Sequence, residues 1–241
     1  MEDIQLLKKI INQSEYLVFL GGAGVSTESG IPDFRSDDGL YSGKYKKYSP
    51  ETVLSHEFFI THTEEFYDYY KKNMIFPSAK PNAAHIALSK LEKKGKLKAV
   101  ITQNIDGLHS AAGSKNVIEL HGSVLRNRCL RCGKEYRLDD VIERNGVPCC
   151  SDCGGVIKPE VVLYGENLSE DAMSRALGEI CKADTLIIGG TSCLVNPAAA
   201  FVRYFKGKHL IIINKTPTPY DGEAELIIRE PIAEVFSKIV K

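Results

Sequence analysis

The sequence predicts an α/β fold, a doubly wound parallel sheet carrying a smaller lobe, and three observations predict it. Short apolar runs recur at Tyr16–Leu20, Ala99–Thr102, Val117–Leu120, Val161–Tyr164, Leu186–Ile188 and Leu210–Ile213, and continuous runs of this kind suit parallel strands buried on both faces. Helical patterns separate several of them, which calls for right-handed crossovers between the strands. Two stretches break the alternation, one rich in Tyr, Lys and Phe and one rich in cysteine, and both read as insertions. The expectation is a single domain over 1–241. Its larger, Rossmann-like lobe comprises 1–35, 80–125 and 159–241; its smaller lobe comprises a helical module at 36–79 and a cysteine module at 126–158.

Composition narrows the function classes. The chain has 241 residues and 43% hydrophobic content, with 31 Lys plus Arg against 31 Asp plus Glu. That balance creates no global field to recruit nucleic acid or an anionic membrane. The start, Met1-Glu2-Asp3, is acidic and leads into an amphipathic Ile4, Leu7, Ile11 pattern, unlike a signal peptide. No apolar run reaches the length of a bilayer span. Seven cysteines, four of them in paired knuckles, fit a reducing compartment, so the expected location is the cytoplasm.

In chain order, the run at Tyr16–Leu20 ends in Gly21-Gly22-Ala23-Gly24. Amides there can approach a phosphate closely, and a following helix would favour the negative charge. Thr27 stands where the dinucleotide fingerprint has its third glycine, so a turn serving only packing stays open. Gly30-Ile31-Pro32-Asp33-Phe34-Arg35 presents an acid, an aromatic and a guanidinium on one stiffened loop. Phe58, Phe59, Phe66, Tyr69 and Tyr70 have helical spacing. Pro81 to Lys94 reads as a helix closed at Gly95, the stretch after Asn196-Pro197 as one closed at Gly207, and the segment after Pro231 as a third. Thr102-Gln103-Asn104-Ile105-Asp106-Gly107-Leu108-His109 and His121-Gly122 follow strand ends, where a doubly wound sheet binds its ligands.

Cys129-Leu-Arg-Cys132 and Cys150-Ser-Asp-Cys153 spell a tetrahedral zinc site with a closed thiolate shell, hence a structural one. Cys149 adjoins Cys150 and offers an alternative pairing with Cys153; the repeated spacing favours Cys150. Cys181 and Cys193 read as small buried residues.

Taken in order, Gly22-Ala23-Gly24-Val25-Ser26, Gly30–Arg35, Thr102–Asp106, His121-Gly122, the two cysteine pairs, Val161–Glu166 and Gly190-Thr191-Ser192 resemble the sirtuin family, of bacterial or archaeal type, over nearly the whole chain. The resemblance implies an NAD-dependent protein-lysine deacylase. It would consume NAD and release nicotinamide and O-acyl-ADP-ribose through an alkylimidate intermediate. By the family's pattern His121 is the general base, Asn104 and Asp106 orient ribose and nicotinamide, and Phe34 covers the reacting face. Gly22, Ala23, Thr27, Arg35, Gln103 and Ile105 match positions around phosphate and ribose; Thr191, Ser192, Asn214, Lys215 and Ile232 match the adenosine side. The acyl-lysine peptide would lie between Val161, Val162, Tyr164 and Gly165 on one edge and Leu194 to Asn196, with Val195, on the other. The expected partners are acyl-lysine proteins, with one structural zinc, no membrane and a monomeric state. Tyr164 departs from the family's phenylalanine, and Tyr41–Tyr48 lacks the Tyr-x-x-Arg pair of acidic-acyl-selective members, which disfavours desuccinylation. Competing readings are mono-ADP-ribosyl transfer, a non-catalytic NAD sensor, and a nucleic-acid-binding zinc protein using Arg126, Arg128, Arg131, Lys134 and Arg137.

Overall fold

The computed structural model describes residues 2–34, 36, 39–40 and 47–239. Its larger sheet has six parallel strands in the order β3-β2-β1-β7-β8-β9, namely β1 (Leu17–Gly21), β2 (Leu97–Thr102), β3 (Val117–Glu119), β7 (Thr185–Gly189), β8 (His209–Ile213) and β9 (Leu226–Ile228). The order reverses between β1 and β7, so loops leaving these two strands diverge and open a crevice at their carboxyl ends.

Alternation along each strand feeds two cores. Leu17, Phe19, Ile187, Ile211 and Ile213 point to one face, where α1 (Glu2–Gln13), α5 (Ala83–Lys93) and α9 (Ile232–Ile239) contribute Leu7, Leu88, Val235 and Phe236. Val18, Leu20, Leu186, Ile188 and Ile212 point to the other, covered by Ile180 of α8 (Glu170–Lys182) and by Phe201 and Val202. Because side chains alternate with a period of two, a strand covered on both faces must be apolar at every position, which is why the runs are continuous.

A third core joins the two interruptions. Phe58 and Phe59 of α3 (His56–Thr61) and Phe66, Tyr67 and Tyr70 of α4 (Thr63–Asn73) pack with Val124, Ile157 and Val161. The latter lie on a three-stranded antiparallel sheet, β5-β4-β6, of β4 (Gly122–Cys129), β5 (Glu135–Arg137) and β6 (Ile157–Val161). Short helices α2 (Pro50–Val53), α6 (Leu108–Ala111) and α7 (Leu138–Ile142) complete the chain.

Four expectations are corrected. Val161–Tyr164 is not a parallel strand: only Val161 belongs to β6, which pairs antiparallel with β4, and exposure alternates from buried Val161 and Leu163 to exposed Tyr164. Residues 198–204 form a 3-10 helix rather than an α-helix, and no side chain caps its start at Pro197. The glycine loop enters two 3-10 turns, Ala23–Val25 and Thr27–Ser29, instead of an α-helix; Gly24 N–H is tied to the Gly190 carbonyl at 2.8 Å, which draws the loop across the sheet end. Cys181 is exposed, on the solvent side of α8, while Cys193 is buried as expected.

Two buried imidazoles face each other between α5 and α6: the His85 and His109 ring centroids are 4.6 Å apart, and both side chains are buried. Burial pushes His85 down to about 4 and His109 well below its usual range. Both stay neutral in the folded chain where the unfolded chain binds protons, so stability is full above the unfolded imidazole pKa of about 6.5 and is lost as pH falls below it. The urea midpoint is expected to decline between pH ~6.5 and ~4, and His85→Gln to flatten that decline relative to wild type. Identical pH profiles for the two proteins would refute this.

Candidate active site and zinc centre

The strand ends converge on a cleft of about 1370 Å³ that runs from the switch point of the sheet to the third core. At one end, Gly22, Ala23 and Thr27 from the β1 turn meet Thr191 and Ser192 after β7, with Asn214 and Lys215 after β8 and Ile232 at the start of α9. The turns touch without side chains between them. A Cβ on Gly24 would lie 2.9 Å from the Gly190 backbone, and Gly190 itself has φ of 57°. Packing therefore accounts for Gly24, alongside whatever phosphate the loop receives. Glu28 accepts the Ala233 amide at 2.9 Å and so fixes α9 to the same turn. Gln103 donates to the Thr191 hydroxyl at 3.1 Å, joining the turns after β2 and β7.

The middle of the cleft is a polar cluster. Asn104 is buried and donates from Nδ2 to Ser26 Oγ at 3.1 Å, while Ser26 Oγ–H donates to Asp106 Oδ2 at 2.7 Å. The other Asp106 oxygen accepts the Leu108 amide at 2.8 Å. Ser26 is thus the bridge that orders Asn104 and Asp106; it stands in the glycine-loop motif, but no spacing rule marked it as a site residue. Ile105 and Phe34 line the same region, and Arg35 falls outside the described residues, as do residues 41–46 of the Tyr41–Tyr48 stretch.

His121 stands between β3 and β4. Its Nδ1 lies 2.8 Å from the Gln103 carbonyl oxygen, which only accepts, so Nδ1 carries the proton and Nε2 keeps a lone pair. Burial pushes the imidazole below its ordinary pKa, against the opposing pull of that hydrogen bond, and favours the neutral ring. Gly122 follows with φ of 74°, and a Cβ there would sit 1.9 Å from the Glu160 carbonyl, so only glycine lets β4 start beside β6. The backbone carbonyl of His121 accepts the Val162 amide at 3.0 Å, which brings Val161, Val162, Tyr164 and Gly165 to the cleft rim opposite Val195.

Beyond the neck formed by β4 and β6, the Cys129, Cys132, Cys150 and Cys153 sulfurs all lie within 4.8 Å of one another. The 3.4 Å Cys129–Cys153 and 3.6 Å Cys132–Cys150 separations approach the ~3.8 Å edge of a tetrahedron with 2.3 Å Zn–S bonds. Four thiolates fit one Zn²⁺ and fill its coordination shell. Tyr136 donates its hydroxyl to Cys150 Sγ at 3.0 Å, whereas Cys149 is exposed and its Sγ donates to the Val147 carbonyl, at 3.6 Å, away from the cluster. The donor set is therefore built around Cys150.

The Sir2 family profile matches residues 22–197, spanning the cleft and the zinc centre. The chain belongs to the Sir2 family. A curated NAD-dependent protein deacetylase of Clostridium acetobutylicum is 54% identical over 242 residues, covering 100% of this chain and 99% of the relative. Among solved structures, a Sir2 complex with p53 peptide and NAD⁺ has a TM-score of 0.88 at 43% identity, covering 98% and 96% of the two chains. A Sir2 variant with deacetylated p53 peptide and 3′-O-acetyl ADP ribose has a TM-score of 0.90 at 44% identity, covering 98% and 97%. In this Sir2-family chain no helix of the described residues is long and apolar enough to cross a membrane.

Proposed function

We propose that this NAD-dependent protein deacetylase uses His121 Nε2 as the general base, accepting a proton from a ribose hydroxyl while Asn104 and Asp106 hold ribose and nicotinamide. The observation that carries the assignment is the Nδ1 to Gln103 hydrogen bond, which fixes the tautomer and leaves Nε2 basic. NAD enters as a consumed substrate. Its phosphates and adenosine lie along Gly22, Ala23, Thr27, Gln103, Thr191, Ser192, Asn214, Lys215 and Ile232, and Phe34 shields the reacting carbon from water. An acyl-lysine peptide adds a strand between 161–165 and 194–196. The lobes divide as 1–35, 80–125 and 159–241 against 36–79 and 126–158, with zinc stiffening the latter and no step of catalysis passing through it.

We place the enzyme in the cytoplasm, as a monomer, away from membranes and nucleic acid. Charge pairing supports the last point: Arg126 pairs with Glu119 at 2.8 Å, Arg128 with Glu160 at 2.8 Å and Lys134 with Asp152 at 2.7 Å, which offsets the basic face of the first knuckle. The purified protein, given acetyl-lysine peptide with NAD, is expected to yield deacetylated peptide, nicotinamide and acetyl-ADP-ribose in equal amounts by mass spectrometry, and none of them without NAD. Label from NAD retained on protein, without peptide turnover, would establish ADP-ribosyl transfer instead.

A further inference from the structure

Glu166 ends the apolar peptide-edge segment, and deacylation chemistry asks nothing of it. Its carboxylate nevertheless bonds to groups on three segments, Leu163, Lys158 and His56. Residues 163–166 form a turn in which Leu163 O accepts Glu166 N–H at 2.9 Å and Gly165, at φ of 88°, occupies the third position. The Glu166 side chain folds back on this turn, and its Oε2 accepts the Leu163 amide at 2.9 Å. The same oxygen takes Lys158 Nζ at 3.2 Å, from β6, and Oε1 takes His56 Nδ1 at 2.9 Å, from the start of α3. Lys158 also donates to the Val161 carbonyl at 3.1 Å. Backbone rungs run parallel to these bonds: His56 N–H donates to the Tyr164 carbonyl at 2.8 Å, and Tyr164 N–H to the Leu54 carbonyl at 3.0 Å. Burial opposes the carboxylate charge, and the Leu163 amide, His56 and Lys158 outweigh it, so the Glu166 carboxyl is held below its usual range.

We propose that Glu166 is a positioning residue for the peptide substrate, tying the 161–165 edge at once to the helical insertion through His56 and to the zinc-module stem through Lys158. The argument rests on the deacetylase reading of the cleft and goes beyond it. Val162 hangs from the His121 carbonyl, at the β3–β4 junction, and Tyr164 from Leu54, at the end of α2, so among the described residues the segment is suspended between the larger lobe and the helical insertion with no strand of its own beyond Val161. A peptide that binds by main-chain hydrogen bonds gains affinity only if the edge it meets is already in place. Glu166 supplies that order: it caps an inward amide, closes the turn, and anchors it from two directions with charge-assisted bonds. Its loss leaves the base and the nucleotide end untouched while loosening the surface on which the acyl-lysine is presented.

The test is binding of a fluorescein-labelled acetyl-lysine peptide by anisotropy, without NAD, alongside steady-state kinetics with unlabelled peptide. Glu166→Gln is expected to weaken peptide binding and raise peptide KM by about tenfold, the scale of a lost charge-assisted hydrogen bond, with kcat within about twofold. His56→Ala is expected to give a smaller loss in the same direction. Glu160→Gln, which removes a carboxylate from the same sheet, is expected to bind peptide like wild type. Peptide affinity of Glu166→Gln within about twofold of wild type, a fall in kcat at unchanged KM, or an equal loss in Glu160→Gln would each overturn the proposal. Should Glu166→Gln lose its zinc or its cooperative melting, His56→Ala decides: weakened peptide binding supports the clamp, and unchanged binding overturns it. Because anisotropy needs no turnover, a failure of the deacetylase reading shows separately, as wild type that binds peptide but releases no nicotinamide.

Discussion

His121→Ala is expected to lower kcat for NAD-dependent deacetylation by about 10³-fold, within the range that a positioned general base supplies. The variant should melt as wild type does, since among the described residues the imidazole hydrogen-bonds to the Gln103 carbonyl alone, which solvent or a neighbouring donor can take over. In wild type the pH profile follows from burial. The ring's pKa is depressed, so the base is already deprotonated at neutral pH, and kcat/KM stays level there and falls only on the acid side, as Nε2 gains a proton. Turnover by His121→Ala within tenfold of wild type would remove His121 from the mechanism.

Cys150→Ser is expected to abolish the one equivalent of zinc measured by inductively coupled plasma spectrometry and to unfold the module that it anchors. Structural zinc contributes about 10 kcal/mol or more of apparent binding free energy in small zinc modules, far beyond what β4, β5 and β6 can recover by packing. The damage should spread to peptide turnover, because β6 continues directly into the 161–165 rim and Lys71 of α4 donates to the Gly146 carbonyl at 2.9 Å. Cys149→Ser is the control: it should keep full zinc content and activity. Zinc retained by Cys150→Ser and lost by Cys149→Ser would reverse the ligand assignment.

How legible these features were depended on how local their causes are. Apolar runs announced β1, β2, β7 and β8 because burial on two faces leaves no polar positions, and the paired cysteines announced their cluster because zinc geometry demands close, repeated spacing. Val161–Tyr164 misled for the same reason that it matters: half of its apolar surface faces a groove instead of a core, and an apolar run does not say which. β4 carries Arg126, Asn127 and Arg128 and gave no strand signal, since Arg126 and Arg128 serve the small sheet's outer face and the inward position between them is taken by a buried polar residue, Asn127. Ser26 could not be picked out as a bridge because its partners, Asn104 and Asp106, are 78 and 80 residues away. The roles of Gly24 and Gly122 likewise come from backbone neighbours distant in sequence, Gly190 and Glu160.

The zinc-bearing excursion leaves the main body at Gly122 and comes back at Val161, and these two residues are direct partners across β4 and β6. Topologically the segment is a hairpin whose tip has been enlarged into a metal-stapled head, with its two ends one strand spacing apart. Such a head is a cassette. Its outer face can change in size and surface without rethreading the parallel sheet, while Val141 and Ile157 stay committed to the core shared with α3 and α4. The neck has no such freedom, because His121 and Val162 are at once the hinge of the cassette and part of the cleft lining, and Gly122 between them has no room for a side chain beside Glu160.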